Sequence, residues 1–404
     1  MSDHRNLTQL FQVVLMLTSL KISNFRLLQN FQVSKLGRVN LIVGKNNAGK
    51  STVLEALRIF AGNAHQMLLQ EIAASHDEKF RIREEDASDA DTGLPFEDFF
   101  TGRQFPNDNN TKIEIGEIDT VTDSSRLLQI QHVFLRETEE TVTNDTTGET
   151  RTRISRRPVA PSEFEEMGDE PVIHALLVTK GDRSSIISLE SGPRYKFGTR
   201  DNHIPCSTIP TQFISIDELA EEWGKVVFRE PAETIIKALQ IIEPDLLDIT
   251  FVDNQEEYRS PPMRKFASRS PRVKMSGLSR PIPLNSLGDG MLRVFQLLLK
   301  VFPAKGGFLL IDEFENGLHY SVQEKIWMVL FELSKKLNIQ IFATTHSWDC
   351  IESFSKVARN NNDIDSVLFR AGKSVRQSNR GQIIATVFDK EQLYNITQSD
   401  VEVR

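Results

Sequence analysis

Gly44-Lys45-Asn46-Asn47-Ala48-Gly49-Lys50-Ser51 fits the pattern G-x-x-x-x-G-K-[ST]. The bounding glycines permit a tight curve in which successive backbone N–H groups, those of Asn46, Asn47 and Ala48 among them, point at polyphosphate oxygens. Lys50 would reach the β- and γ-phosphates, and Ser51, followed by Thr52, would set a hydroxyl on Mg²⁺. ATP and Mg²⁺ are therefore the expected ligands. Such a loop needs an acid to hold the metal's water shell, and "FLLIDEF" supplies Asp312 at the end of an apolar run. Its neighbour Glu313 is placed to orient or deprotonate an attacking water. Taken alone, an apolar run followed by two acids also describes an ordinary strand end with solvated carboxylates.

The elements around these residues set their positions. "RVNLIVG" reads as a buried strand, and Val53, Leu54, Leu57, Phe60 and Ala61 recur at helical spacing up to Gly62, giving strand, loop, helix. "GGFLLIDEF" and "IQIFATTHS" read as further buried strands, separated by the helix "VQEKIWMVLFELSKKL" with Val322, Ile326, Val329, Leu330, Leu333 and Leu337 on one face. Strands alternating with helices predict a mainly parallel α/β sheet. Between about residues 76 and 200 the pattern changes to short strands such as "KIEIGEI" and "LLQIQHVFL", an acidic run "REEDASDADTG" and the turn-rich "TNDTTGETRTR". Helical spacing returns in "IDELAEEWGKVV" and "PAETIIKALQII". No sustained heptad occurs, which excludes a long coiled-coil arm.

Composition narrows the class. With 404 residues, 39% of them hydrophobic and 26% charged, the chain suits a globular protein of two or three folding units or one domain with an insertion. A net charge of −8 argues against a surface coated by nucleic acid and still permits a local basic groove. Cys206 and Cys350 lie in no metal-ligand spacing, so neither a zinc site nor a disulfide frame is expected, and a reducing, cytoplasmic location is. No apolar run reaches the length of a membrane span. Residues 1–16 read as an extension ahead of the fold, with Met1 and Met16 both open as translation starts.

The phosphate loop and its acid lie more than 200 residues apart. A nucleotide site split between the two ends of a chain resembles the ABC-type P-loop ATPases of the RecF, RecN and structural-maintenance-of-chromosomes group, with Asp312 at the Walker B position. In "NSLGDGMLRVF", Ser286, Gly288 and Gly290 resemble the ABC signature, normally LSGGQ, from which Leu287 and Asp289 depart. The resemblance implies that Ser286, with the backbone of the helix tip, meets the γ-phosphate held by an opposite subunit; a plain helix cap is the other reading of the same residues. "ENGLHYS" stands where the family carries its D-loop, with Asn316 and His319 near a dimer seam. His346 stands at the family's switch-histidine position, which implies contact with the γ-phosphate. "LKISNFRLLQNF" is similar to the family's opening strand, in which a residue near Arg26 approaches the nucleotide; a surface arginine is the alternative. The family's Mg²⁺-reporting glutamine is open among Gln66, Gln129 and Gln131.

"PLNSLGDGMLRVFQLLL", "LLIDEFENGLHYSVQEKIW", "NIQIFATTHSWDCIESF" and the ending "DVEVR" are similar, more narrowly, to stand-alone ATPases of the overcoming-lysogenization-defect (OLD) type in phage defence. That likeness covers residues 17–62 and 210–404. It implies an α/β ATPase head with a mainly parallel sheet, an antiparallel β portion and an inserted β-rich and helical lobe. The expected division is an extension (1–16), an N-lobe (17–75), an inserted region (76–210) and a C-lobe (211–404), with no room for a Toprim nuclease after residue 354. It further implies a homodimer or higher homo-oligomer that sandwiches ATP and controls a separate nuclease or toxin-like effector, with no membrane partner. Double-stranded DNA is a further candidate partner. The basic stretch 258–280, holding Arg259, Arg264, Lys265, Arg269, Arg272, Lys274 and Arg280, could contact DNA phosphates or an acidic partner, or be a solvated loop. Three rivals remain at this point: a recombination or repair ATPase acting on DNA directly, the energising subunit of a transporter, and a scaffold that binds ATP without turnover.

Overall fold

A computed structural model of the chain describes residues 16–76, 96–119 (107 and 109 excepted), 123–143, 150–159, 172–189, 203–253 (213 excepted), 269–388, 391–393 and 395. The extension before residue 16, the acidic run, the turn at 144–149, Arg259, Arg264, Lys265 and the ending "DVEVR" lie outside the described residues.

In chain order, β1 (Leu20–Phe25) and β2 (Leu28–Val33) form a hairpin, β3 (Val39–Val43) leads into α1 (Lys50–Ala61), and α2 (Gln66–Ser75) follows. Next come β4 (Ile113–Gly116), β5 (Leu127–Thr143), β6 (Thr150–Val159), β7 (Val172–Lys180), β8 (Arg183–Ser188) and β9 (Cys206–Ile209). The second half begins with α3 (Ile216–Val226), α4 (Glu230–Ile242), β10 (Leu246–Asp253), β11 (Arg269–Met275) and β12 (Ile282–Pro283). It closes with α5 (Asp289–Val301), β13 (Phe308–Ile311), α6 (Tyr320–Lys336), β14 (Gln340–Thr345), α7 (Trp348–Asn360), β15 (Ser366–Lys373) and β16 (Ile383–Phe388).

The central sheet runs β16-β15-β3-β14-β13-β9, with every pairing parallel except β16 on β15. Its central strands β3, β14 and β13 are buried along their whole length because both faces are covered. Val39, Leu41 and Val43 of β3 face one core with Leu219, Trp223, Leu239, Phe295, Trp327 and Phe354 of the helices α3 to α7. Ile42 faces the other, with Leu310 and Phe342, and there Val53, Leu57 and Phe60 of α1 meet Ile22 and Phe25 of β1. The helix that carries Lys50 is thus packed between two sheets, each buried Leu or Phe contributing roughly 1.5–3 kcal/mol.

The second sheet, β2-β1-β4-β5-β7-β8 with β6 on β5, is antiparallel. Here the expected division of the chain differs from the fold. The strands of 113–188 do not form a body apart from residues 17–75, because Ile22 pairs with Ile115 and the ladder is continuous. Nor does that region end at residue 210, since β9 is the edge strand of the central sheet beside β13. Lys180, at the end of β7, donates to the Phe60 carbonyl (2.9 Å) and the Asn63 side chain (2.9 Å) at the C-terminal end of α1. A cation there suits the helix dipole, although burial pushes its ammonium pKa down to about 8.

Two buried amides tie down the amino ends of β3 and β14. Gln340 holds the Leu17 N–H and carbonyl and the Gly37 carbonyl, and Asn40 closes the turn at Gly37 that feeds β3. Among the described residues no helix is long and apolar enough to cross a membrane.

Candidate nucleotide-binding and hydrolysis site

β3, β14, β13 and β9 are neighbours, and their carboxyl ends deliver Gly44, Thr344 to His346, Asp312 and Thr211 to one edge of the sheet. That edge is where open α/β sheets bind ligands. Gly44 leaves β3 with its position pressed against the chain: an added Cβ would lie 2.3 Å from the Ala371 carbonyl oxygen. Asn47 (φ 60°) and Gly49 (φ 84°) take left-handed backbone, curling the loop before α1 begins at Lys50. Lys50 is 9% exposed, and its ammonium donates to the loop's own carbonyls at Gly44 (2.8 Å) and Lys45 (3.2 Å). Burial lowers its pKa, while the charges of Asp312, Glu313 and Glu315 raise it. Thr52 is buried within the helix's first turn.

Ser51 Oγ donates toward both oxygens of Asp312, at 3.0 and 3.2 Å. A serine hydroxyl against a carboxylate is an oxygen donor pair that fits a hard divalent cation. Thr344 and Thr211 complete the shell around the acid: their hydroxyls stand 2.6 Å and 3.3 Å from it. Thr344 Oγ1 also accepts the Glu313 N–H at 2.8 Å. That bond holds a strained residue, for Glu313 has φ 48°, a left-handed conformation a non-glycine residue adopts at a cost. Its side chain is 36% exposed, available to a water. His346 lies beside it, with Nδ1 3.8 Å from Glu313 Oε1 and 3.1 Å from Glu315 Oε1.

Lys50, Ser51, Asp312, Glu313 and His346 are therefore brought together. Arg26 is brought to the flank of α1, where its Nε meets Glu55 at 3.1 Å and its guanidinium lies 5.1 Å from the Phe99 ring centre. Ser286 is exposed in the 3-10 turn Leu284–Leu287, Gly288 (φ 95°) caps α5, and Gly290 packs on the following turn, an added Cβ lying 3.1 Å from Gly317 O. Asn316 donates to the Thr211 carbonyl at 2.6 Å, and His319 caps α6 by accepting from the Ser321 N–H.

The three glutamines considered for reporting the metal sit elsewhere. Gln66 opens α2, Gln129 donates to Glu114 across the antiparallel sheet at 2.8 Å, and Gln131 pairs with Leu177. Gln212, exposed, follows Thr211, whose hydroxyl faces Asp312 just beyond the end of β9. Arg293 of α5, fully buried, donates to the Pro210 carbonyl at 2.9 Å and lies 3.4 Å from the Asp312 carbonyl. Burial lowers its pKa, and Asp312 and Glu313 raise it. Thr211, Gln212, Arg293, Glu315 and Thr344 carry no motif of their own. The only signal for them was adjacency to strand ends, and for β9 the strand itself went unread.

A family described as an AAA ATPase domain matches residues 16–189. A second, described as an AAA domain, putative AbiEii toxin, Type IV TA system, matches residues 239–349. The chain is a P-loop ATPase. A Helicobacter pylori protein named ATP/GTP phosphatase is 24% identical to the ATPase over 349 residues, 85% of this chain and 89% of that one. The uncharacterized protein MJECL10 of Methanocaldococcus jannaschii is 45% identical over 51 residues, 13% of this chain and 23% of that one. Among solved structures, the SMC head domain from Thermotoga maritima aligns with a TM-score of 0.39 at 13% identity, covering 93% of the ATPase and 99% of the head. An SmcHead bound to the C-winged helix domain of ScpA aligns with a TM-score of 0.44 at 15% identity, covering 95% and 100%.

Proposed function

We propose that this ATPase is the ATP-hydrolysing subunit of a phage-defence system, that it dimerises around two Mg·ATP, and that the closed and open dimers switch a separate effector, a nuclease or toxin-like protein. The observation that carries the hydrolytic core is the convergence of Lys50, Ser51, Asp312 and Glu313 at adjoining strand ends. Lys50 exchanges its two loop carbonyls for the β- and γ-phosphate oxygens. Mg²⁺ held by Ser51 and Asp312 would neutralise phosphate charge. Glu313 orients the attacking water and receives its proton, and His346 contacts the γ-phosphate side. Ser286 and the amino end of α5 serve a twin's nucleotide, adding N–H groups and the positive helix end. Closure is then a population shift driven by the γ-phosphate.

Hydrolysis, as opposed to storage of bound ATP, is favoured by the exposed Glu313 and by the name of the H. pylori relative, an ATP/GTP phosphatase. The defence setting is favoured by the toxin-system description of the family that matches residues 239–349. Steady-state phosphate release from the purified chain tests the core. Lys50→Ala should abolish turnover by weakening nucleotide binding. Glu313→Gln should lower kcat on the order of 10²–10⁴-fold while ATP still binds. Wild-type turnover in Lys50→Ala would put the site elsewhere. Strong stimulation of the isolated chain by double-stranded DNA would instead favour a repair ATPase acting on DNA itself.

A further inference from the structure

We propose that Glu315 is a positioning residue that fixes the tautomer and orientation of His346, and thereby keeps Glu313 free for water; this deepens the hydrolytic reading above and rests on it. Glu315 is the second residue after Glu313 and the start of the turn that Leu318 N–H closes on its carbonyl at 2.9 Å. Its side chain is 11% exposed. The carboxylate meets three donors from the end of β14. Oε2 accepts from the Thr345 hydroxyl at 2.7 Å, and Oε1 accepts from the His346 backbone N–H at 2.8 Å and faces His346 Nδ1 at 3.1 Å. A carboxylate that already accepts from two fixed donors can only accept from the ring as well, so Nδ1 carries the proton.

Two distances decide which acid claims the histidine. At 3.1 Å, Glu315 makes a hydrogen bond, whereas 3.8 Å to Glu313 is too long for one. Glu313 would otherwise pair with the ring and lose its place as the acceptor for water. With Nδ1 committed, Nε2 is the nitrogen left to substrate. It accepts from the water or, once protonated, donates to a γ-phosphate oxygen with Glu315 stabilising the imidazolium, the role a buried acid plays behind a catalytic histidine. Glu315 also joins this switch to the tip of α5, because the turn it opens carries the Gly317 carbonyl on which Gly290 packs.

The test is a ¹⁵N-histidine NMR spectrum of the full chain, with His346→Gln assigning the signal, read beside ATPase kinetics. The neutral wild-type ring should show Nδ1–H, against the usual Nε2–H of free histidine. Glu315→Ala should move the proton to Nε2 and lower kcat by about 10–100-fold, the scale for groups that orient a functional histidine, with the KM for ATP within about twofold. Glu315→Gln, whose carbonyl can accept at the same place, should keep Nδ1–H and recover much of kcat. A wild-type Nε2–H ring overturns the proposal, as does Glu315→Ala with tautomer and kcat unchanged. Should Glu315→Ala not fold, the wild-type and Glu315→Gln spectra still decide. A wild-type chain that turns over no ATP would contradict the proposed function and leave the tautomer result standing.

Discussion

Thr344 Oγ1 is one atom with two duties, accepting the Glu313 N–H and donating to Asp312. It ties the candidate metal ligand to the candidate base and holds the left-handed backbone between them. Thr344→Val keeps the shape and removes both bonds, leaving the half-buried Glu313 N–H without its acceptor. It should destabilise the fold by about 1–3 kcal/mol in urea titrations and lower kcat by about tenfold or more, while Thr344→Ser restores both. At this scale the sequence was readable where residues share one local segment. The loop 44–51 announces itself by its own spacing, the Asp312-Glu313 pair gains its meaning from that loop upstream, and His346 from the family resemblance. Thr344, Thr211 and Glu315 do not, because their meaning comes from strands that are neighbours in space and distant in the chain. Arg26 shows the opposite limit: its place after the opening strand is legible, and its pairing with Glu55 of α1 is not.

Among the elements, the antiparallel sheet carries its own titration. His132 of β5 is buried, stacked on Phe105 at 4.1 Å between ring centres and 5.8 Å from the His174 ring centre. Burial, and secondarily the charge of His174, pushes its pKa down to about 4. The folded ring therefore binds its proton less readily than the unfolded one, so stability is fully present above about pH 6.5 and falls as pH drops toward 4. His132→Phe should flatten that slope, as read from unfolding midpoints between pH 7 and 4; an unchanged slope would place the titration elsewhere. β4 and the first half of β5 were legible as "KIEIGEI" and "LLQIQHVFL", whereas β6, β7 and β8 and the partners of every strand in the sheet were not. Pairing of Ile22 with Ile115 spans most of a hundred residues, and no local pattern encodes it. β9 was missed for a related reason: four residues, Cys206–Ile209, give too short a run to stand out until β13 lies beside it.

At the scale of the whole molecule, the two ends of the chain supply one site, β3 and α1 from the first and β13 and β14 from the second. The antiparallel sheet clamps α1 from behind, and the α5 tip lies on the turn after Glu315. Parallel α/β order and the split site follow from apolar runs alternating with helical spacing, which is why the architecture was readable before the lobe boundaries were. The proposed dimer rests on Ser286, which stands exposed in the turn before α5, where a second protomer's phosphates would meet it. Sedimentation velocity on Glu313→Gln at saturating Mg·ATP tests this most directly. The expected result is a shift from one chain to two that requires nucleotide and disappears when Lys50→Ala is added. A single-chain mass under those conditions, in a preparation whose wild-type counterpart hydrolyses ATP, would contradict it.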